Sequence, residues 1–480
     1  MARALFTNSA GLIKMGVSGG QDFSMLDETI IAISTPPGYG GLGIVRLSGR
    51  EALPIARKIF RLRRKTWREV EPRSFVLGDI YDGEKKVLID EAFLAYFPAP
   101  RSYTREDVVE ISCHGSPVVL EEVVRLGTLA GARVAHPGEF TLRSYLRGRV
   151  DLIQAEAVND LIAATSLAQA KISLGQIRGG LSRNIGVLRG QIVELMSLVE
   201  GGIEFPDDGL GIGPKETAGR LEAVLRTVEK LISSYQAGRA MTEGLELAIV
   251  GRANVGKSTL FNALLDQERA LVSPYPGTTR DYLREKIKIK DSFFHLIDMA
   301  GLEESTHPVE KEGIKRGGDI ASQADGILLV LDASRREGAV DLRLIDRFKA
   351  KKMIILFNKA DLPCKINRPK CLALNRKSRW LGVSALTGKN LEVLQKAIYD
   401  DFAPKKGGQD EVLLHLRQKL LFDNIASCLE KALGLLRSGY SEEVWVEEIR
   451  RILPLIGQLT GEIRADEVID NIFARFCVGK

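Results

Sequence analysis

Eight residues near the middle of the chain, Gly251-Arg252-Ala253-Asn254-Val255-Gly256-Lys257-Ser258, constrain what it can fold into more than any other stretch. Glycines at both ends let such a loop curl so that successive backbone N–H groups point inward, the arrangement that cradles phosphates. Lys257 brings a charge to the outer phosphates, and the Ser258 hydroxyl suits a Mg²⁺ ligand. The flanks agree. Leu245-Glu246-Leu247-Ala248-Ile249-Val250 reads as a buried strand, and Thr259-Leu260-Phe261-Asn262-Ala263-Leu264-Leu265 as the start of a helix.

Further along stands Asn358-Lys359-Ala360-Asp361. Asp361 can accept hydrogen bonds from the two N–H donors on the Watson–Crick edge of guanine. Adenine lacks that pair and would leave the carboxylate unpaired, which is a large penalty. Asn358 and Lys359 would brace the loop and cover the base, and Ser384-Ala385 follows a short strand where a last guanine contact is needed. Between these strings lie Gly277-Thr278-Thr279-Arg280-Asp281 and Asp298-Met299-Ala300-Gly301. Thr279 joins Ser258 as the second Mg²⁺-side hydroxyl, Asp298 sits below the metal, and the Gly301 N–H can sense a γ-phosphate. Each string alone reads as a turn; five in this order imply a GTPase domain. The candidate GTP contacts are Asn254, Val255, Gly256, Lys257, Ser258 and Thr259; Ser273, Pro274, Tyr275, Pro276, Gly277, Thr278 and Thr279; Asp298, Met299, Ala300 and Gly301; and Asn358, Lys359, Asp361, Ser384 and Ala385.

At 480 residues the chain is too long for one ordinary domain. A 45% hydrophobic and 27% charged composition describes a globular protein with ample core. No uncharged apolar run approaches the roughly 18 residues of a membrane span. A net charge of +6 is compatible with an RNA partner without demanding one. The five cysteines (Cys113, Cys364, Cys371, Cys428, Cys477) include no Cys-x-x-Cys, and the five histidines are equally dispersed. Neither a zinc site nor a disulfide framework is indicated, which suits a reducing cytoplasm. The first 27 residues read as a disordered leader or an overlong start, with Met25 as the alternative beginning.

From Thr29 short apolar runs alternate with helical segments near Glu51–Phe60 and Pro117–Leu129, an α+β pattern. After Val150 the period changes. Ile177, Leu181, Ile185, Leu188, Ile192, Leu195 and Val199 predict one face of a single long helix, and Leu221, Val224, Leu225, Val228 and Leu231 a second one after Pro214. Beyond Pro404-Lys405-Lys406-Gly407-Gly408, helical spacing resumes through Leu413, Leu420, Leu421, Ile425, Leu429, Leu433 and Leu436. A last helix is expected with its cap at Thr460 and Glu462 in its first turn. Helices on both sides of the GTPase domain, each short of a complete core, imply one bundle interrupted by an insertion.

Further strings extend the pattern beyond the GTPase domain: Thr35-Pro36-Pro37-Gly38 with Gly40-Gly41-Leu42-Gly43, Cys113-His114-Gly115, His136-Pro137-Gly138-Glu139-Phe140, and the terminus Phe476-Cys477-Val478-Gly479-Lys480. With them the chain from about Thr29 to Lys480 resembles the MnmE (TrmE) family of tRNA modification GTPases, within the TrmE-Era-EngA-YihA-Septin-like superfamily. The resemblance implies a multidomain α/β fold. An N-terminal α+β folate-binding and dimerisation domain would cover 28–148, and a helical domain 149–240 and 403–480. A P-loop Ras-like G domain would be inserted between those halves at 241–402. It further implies a homodimer that forms a heterotetramer with the flavoprotein MnmG, whose FAD serves the same reaction. That reaction builds a carboxymethylaminomethyl or aminomethyl-type group on carbon 5 of the wobble uridine of certain tRNAs.

By position in that pattern, Arg46, Glu110 and Arg149 fall where relatives contact 5-formyl- or methylene-tetrahydrofolate, and Lys480 is the matching terminal lysine. Arg149 departs from the family's lysine, keeping the charge and changing its geometry. Read from the residues alone, the three internal positions are equally ordinary surface ion pairs. Cys477 matches a functional thiol of the family, though an apolar helix-end cysteine reads the same way.

The position just after the Asp-x-x-Gly string, where Ras-type domains orient water with glutamine, is Leu302, which offers no polar group. The resemblance assigns that task to Glu310, with Glu312 as its neighbour, and a K⁺ ion to the task of an arginine finger. Asn254, Ser273, Tyr275 and Thr278 would hold the K⁺, completed as two G domains meet across the dimer. Met299 stands where the family has threonine. Two other classes stay open at this stage, a ribosome-assembly GTPase and a folate-dependent one-carbon enzyme with an accessory G domain.

Overall fold

The computed structural model describes residues 27–164, 166–205, 212–242, 244–269, 283–290, 292–298, 321–403, 412–463 and 466–479. They fall into two compact units. The first holds the described residues up to Ala155 together with those from Asp466 onward, and the second runs from Glu156 to Ile463.

Alternation builds the first unit. Strand β1 (Ile30–Ile33) pairs antiparallel with β2 (Gly40–Ser48), helix α1 (Ala52–Ile59) follows, and β3 (Phe60–Leu62), β4 (Phe75–Asp82), β5 (Val87–Phe97) and β6 (Val108–Gly115) extend the sheet. After α2 (Pro117–Leu129), β7 (Arg133–Val134) adds a parallel edge to β1, giving the order β3-β4-β5-β6-β2-β1-β7. Val45 and Leu47 of β2, with Val109 and Ile111 of β6, face a core completed by Ile55, Ile59 and Val123 from the two helices. A period of two sends the residues between them to the other face. Arg46 and Glu110 lie directly opposite each other in the β2–β6 register. The helix α3 (Glu139–Leu146) carries a fully buried Arg143, held by Glu106 at 3.0 Å and Glu139 at 2.8 Å. Glu106 also binds Arg147, and Glu139 binds Arg133. Burial opposes ionisation of Glu139, but Arg133, the His136 N–H and Arg143 hold its carboxyl below the usual range. Removing one member of such a network leaves a buried charge unpaired, which costs about 3–5 kcal/mol.

Helix α4 (Leu152–Ile162) carries the chain into the second unit. Sequence periodicity implied one helix starting near Ile177. The structure instead has α5 (Leu167–Ile177) and α6 (Gly180–Glu204), separated where Gly179 turns left-handed at φ 80°. Leu181 through Val199 are the buried stripe of α6, and Ile177 ends the helix before it. A spacing of four across a glycine mimics continuity, which is why the break escapes a periodicity argument. Helix α7 (Pro214–Thr242) then leads into the inserted part. There β8 (Leu245–Val250), α8 (Lys257–Arg269), β9 (Leu283–Ile289), β10 (Ser292–Asp298), β11 (Gly326–Asp332), α9 (Ala339–Arg347), β12 (Met353–Asn358), α10 (Arg368–Leu374), β13 (Arg379–Gly382) and α11 (Leu391–Phe402) follow. The sheet order β13-β12-β11-β8-β10-β9 is parallel except for β9. Order reverses beside β8, so the carboxyl ends of β8, β10 and β12 converge where open α/β sheets bind ligands.

The chain leaves the insertion and returns to the bundle through α12 (Leu416–Arg437), which packs on α7, on α13 (Glu442–Arg450) and on α14 (Ile452–Thr460). Leu413 was expected on the α12 face but precedes that helix in extended chain. It is buried, and its amide donates to the Ser234 hydroxyl at 3.1 Å. Gly238 of α7 lies against the Leu413 carbonyl, where any Cβ would collide. Thr460 caps no helix start. It is the last residue of α14, its hydroxyl donating back to the Ile456 carbonyl, and Gly461 closes that helix at φ 84°. Thr460 and Glu462 read as a helix start only because a Gly-terminated helix ends where that start would begin. The last helix, α15 (Asp466–Phe473), belongs to the first unit.

His415, at the head of α12, donates to or accepts from Asp160 at 2.9 Å. Burial opposes its charge, yet Asp160 and Glu156 raise its pKa above the ordinary value. Stability from the pair is therefore full below about 6.5 and is lost as pH rises through the raised native value. His415→Gln is expected to cost more stability at about pH 6 than at about pH 9 in urea titrations. Equal losses at both would remove the charged pair from the account.

Candidate functional site

The phosphate loop follows β8 and opens α8, as its flanks implied. Gly256 adopts φ 95°, and a Cβ there would collide with the Asn358 side-chain nitrogen; at Gly251 it would collide with the Val330 carbonyl. Both glycines thus let other groups come close, the second strand neighbour in one case and the base-side loop in the other. Asn254 holds φ 60°, a left-handed conformation that asparagine tolerates better than most residues. Lys257 is buried, and its ammonium donates to the Arg252 carbonyl at 2.8 Å.

Asn358, at the end of β12, is the hub of the base side. Its Nδ2 donates to the Val255 carbonyl at 2.9 Å, and its Oδ1 accepts the Ala385 N–H at 3.0 Å. One amide thus joins the phosphate loop to the Ser384-Ala385 turn. Lys359, at φ 62°, donates to the Asn254 carbonyl at 3.0 Å and to Asp332 at 2.6 Å. Burial works against ionisation of Asp332, but Lys359 and Ser334 hold its carboxyl below the usual range. The Ser384 hydroxyl is the main cause keeping the exposed Asp361 carboxyl low, so it remains an acceptor at neutral pH.

On the metal side, Ser258 Oγ donates to Asp298 Oδ2 at 2.6 Å. Asp298 Oδ1 is buried and finds no hydrogen-bond partner among the described residues. An exposed hydroxyl beside an orphaned carboxylate oxygen fits a hydrated Mg²⁺, whose waters supply the missing donor. Ser273, Pro274, Tyr275, Pro276, Gly277, Thr278, Thr279, Met299, Ala300, Gly301, Glu310 and Lys480 lie outside the described residues. Sequence reasoning missed two supports. Asp332 could have been found as a carboxylate closing an apolar strand. Arg252, paired with buried Asp341 at 3.1 Å, carries no motif signal.

The first unit holds a second candidate site. A cavity of about 500 Å³ is lined by Arg73, Phe97, Pro100, Arg101, Ser102, Tyr103, Arg105, Val108, Glu110 and Arg149. Glu110 takes the Arg46 guanidinium through Nε at 2.8 Å and Nη2 at 2.7 Å. Arg46 and Arg149 both face the Tyr103 ring, at 5.9 and 5.1 Å from its centre. Burial raises the Tyr103 pKa, and the Thr141 hydroxyl lies 2.9 Å from its oxygen. The structure therefore brings Arg46 and Arg149 to one ring, with Glu110 ion-paired to Arg46 and lining the same cavity as Arg149.

The chain's end is seated beside them. Val478 bridges to Pro137, and the Gly479 carbonyl accepts from the Ser34 hydroxyl at 3.1 Å and from Arg46 at 3.4 Å. Gly479, at φ 96°, touches the Ile33 carbonyl so closely that no Cβ fits, and Gly138 lets the Phe473 carbonyl approach in the same way. The Cys477 carbonyl accepts the Gly138 N–H, while its thiol is free and exposed.

The phosphate loop between β8 and α8, on a six-stranded sheet with its strands in the order β13-β12-β11-β8-β10-β9, is the fold of a P-loop GTPase. A family profile described as the MnmE helical domain matches residues 152–477, and one described as the GTP-binding protein TrmE N-terminus matches 29–149. The chain belongs to the MnmE family of tRNA modification GTPases. It is 38% identical to "tRNA modification GTPase MnmE" of Syntrophus aciditrophicus, over 95% of this chain and 100% of that protein. The proteins of that name from Thermotoga petrophila and Aquifex aeolicus are 38% and 39% identical, each over 94% of this chain and 100% of their own length.

Asp361→Asn is expected to trade guanine for xanthine, since the amide offers a donor where xanthine presents an acceptor. Competition between GTP and XTP for a fluorescent nucleotide measures it. Retained preference for GTP would mean that another group reads the base.

Proposed function

We propose that this chain is a K⁺-dependent GTP hydrolase that acts, with the flavoprotein MnmG, on the wobble uridine of certain tRNAs, adding an aminomethyl-type group at carbon 5. The observation that carries the reading is that one chain holds both a guanine-type nucleotide site and an arginine-rich, tyrosine-floored cavity beside a seated C-terminal tail. A GTPase that only switched or only remodelled particles would have no use for the second.

The division of labour follows from the residues. Asn358 fixes the phosphate loop against the base-side turn, so a bound guanine and its phosphates are held by one rigid element. Lys257 meets the outer phosphates once nucleotide replaces the Arg252 carbonyl as its partner. Ser258 with Thr279 would hold Mg²⁺, with Asp298 below it, and the ion would neutralise phosphate charge. Asn254, with Ser273, Tyr275 and Thr278, would hold K⁺, which adds positive charge near the bond that breaks. Glu310 would orient the attacking water, a role that acts only in the transition state. The support for K⁺ is the exposed, left-handed Asn254 over the loop; Glu310 rests on its place in the family pattern.

In the first unit, Glu110 offers an acceptor to the amino-pyrimidinone edge of a pterin, Tyr103 a flat face, and Arg149 with Arg46 the charge for the carboxylates of a tetrahydrofolate. Lys480 would join them. The cavity volume and this donor set fit such a molecule, which would supply a one-carbon unit. Cys477, on the tail that Arg46 holds, is the proposed reactive thiol. A cytoplasmic homodimer completes the proposal.

The decisive measurement is nucleoside mass spectrometry of tRNA from cells lacking this protein. Loss of the carbon-5 substituent on wobble uridines is expected, and unchanged nucleosides would remove the reading. Hydrolysis should also run faster in K⁺ than in Na⁺ at equal ionic strength, with the difference abolished in Asn254→Ala. Equal rates in both salts would remove the cation and leave the tRNA reading untouched.

A further inference from the structure

The stretch from Arg57 to Arg68 carries seven cations, Arg57, Lys58, Arg61, Arg63, Arg64, Lys65 and Arg68, and no acid. It spans the end of α1, the edge strand β3 and the turn before β4, and every one of these seven side chains is exposed. Arg63 is neutralised by Asp79 and Glu91. Lys58 donates to the Ala130 carbonyl. Arg57, Arg61, Arg64, Lys65 and Arg68 form no ion pair among the described residues. Two of these face rings instead: the Arg57 guanidinium stands 5.4 Å from the centre of Trp67, and that of Arg61 3.2 Å from the centre of Tyr81. The acid nearest in sequence, Glu69, is engaged by the Thr66 N–H at 2.6 Å and its hydroxyl at 2.9 Å, closing the turn from which Lys65 and Arg68 project.

Unpaired cations in this density repel one another, and a chain has no folding reason to collect them. Guanidinium groups drawn to the faces of aromatic rings are held in place, so they lose little freedom on meeting a phosphate. An edge strand needs one or two charges to resist pairing with another chain, not five. Helix, strand edge and turn present these groups over a stretch longer than a single phosphate group requires, as a polyanion's backbone does.

We propose that the surface formed by Arg57, Arg61, Arg64, Lys65 and Arg68 is where this protein holds the sugar-phosphate backbone of its tRNA. The proposal rests on the tRNA-directed reading above and adds the surface that meets the RNA. Contacts to phosphate position without reading sequence, so the patch serves affinity and orientation while the choice of tRNA lies elsewhere.

The test uses the full-length protein and unmodified, transcribed tRNA, with dissociation constants measured by filter binding across a salt series. Arg64→Ala, Lys65→Ala and Arg68→Ala are combined in one variant; a control combines Lys215→Ala, Arg226→Ala and Lys431→Ala, exposed cations of the helical bundle. Each lost phosphate contact lowers the salt slope by about 0.7–1. The patch variant should therefore bind at least about tenfold more weakly at low salt, with a slope shallower by about 2, and the control should match the parent protein. Equal weakening in both variants would mean diffuse attraction and overturn the proposal. So would an unchanged slope in a patch variant that aggregates, the outcome if the charges only guard the edge of β3. Retained tRNA binding with lost binding to vesicles of anionic phospholipid would assign the patch to a membrane surface. Failure of the parent protein to bind tRNA at all would instead count against the tRNA-directed reading itself.

Discussion

The two hydrogen bonds of the Asn358 amide hold the nucleotide site together. The phosphate loop and the Ser384-Ala385 turn are far apart in sequence and belong to different strand ends, yet one buried side chain satisfies a carbonyl in the first and an N–H in the second. Both bonds are buried, so neither group could turn to water if the amide were lost, and the cost would be the full desolvation of each. The absence of a Cβ at Gly256 is what allows this approach. Lys359 repeats the device one residue later, tying Asn254 to Asp332. The phosphate loop and the Ser384-Ala385 turn are therefore a single mechanical element, and each is held in place by the other.

The first unit shows how a sheet can serve two masters. Its inner residues, Val45, Leu47, Val109 and Ile111, make a core under two helices, and the residues between them are free to be polar. Arg46 and Glu110 occupy such positions and meet because β2 and β6 are in register. A shift of one residue would bury the pair and expose the core, so the folding of the core fixes the chemistry of the opposite face. Arg46 then does two things at once, pairing with Glu110 at the cavity wall and reaching the Gly479 carbonyl on the tail.

Much of this was legible in the chain. Strings whose chemistry is local, such as the phosphate loop, Asn358 to Asp361 and Asp298, announce themselves because backbone geometry or a hydrogen-bond pattern demands particular residues at fixed spacing. Helix faces such as Leu181 to Val199 were legible for the same reason, through period. What escaped was either a break that periodicity cannot see, as at Gly179, or a partnership made by tertiary structure alone. Nothing near Tyr103 in sequence says that Arg46 and Arg149 will flank it. Nothing near Arg252 says that Asp341 will. Thr460 shows the opposite failure, a residue with the right neighbours for a helix start that ends a helix instead, since Gly461 overrides it.

The seat of Gly479 against Ile33 has a consequence for how the molecule is made. The first unit is discontinuous: its opening strand and its closing tail are separated by everything from Glu156 to Ile463. A chain emerging from the ribosome displays β1 and its partners long before α15 and the tail exist, and domains fold as they appear. The groove between Ile33, Ser34 and Pro137 must therefore wait, solvated, until Val478 and Gly479 have been made. Completion of the first unit comes late, and a nascent chain stalled after Phe402 and before Gly479 would carry a finished six-stranded sheet with an unfinished first unit.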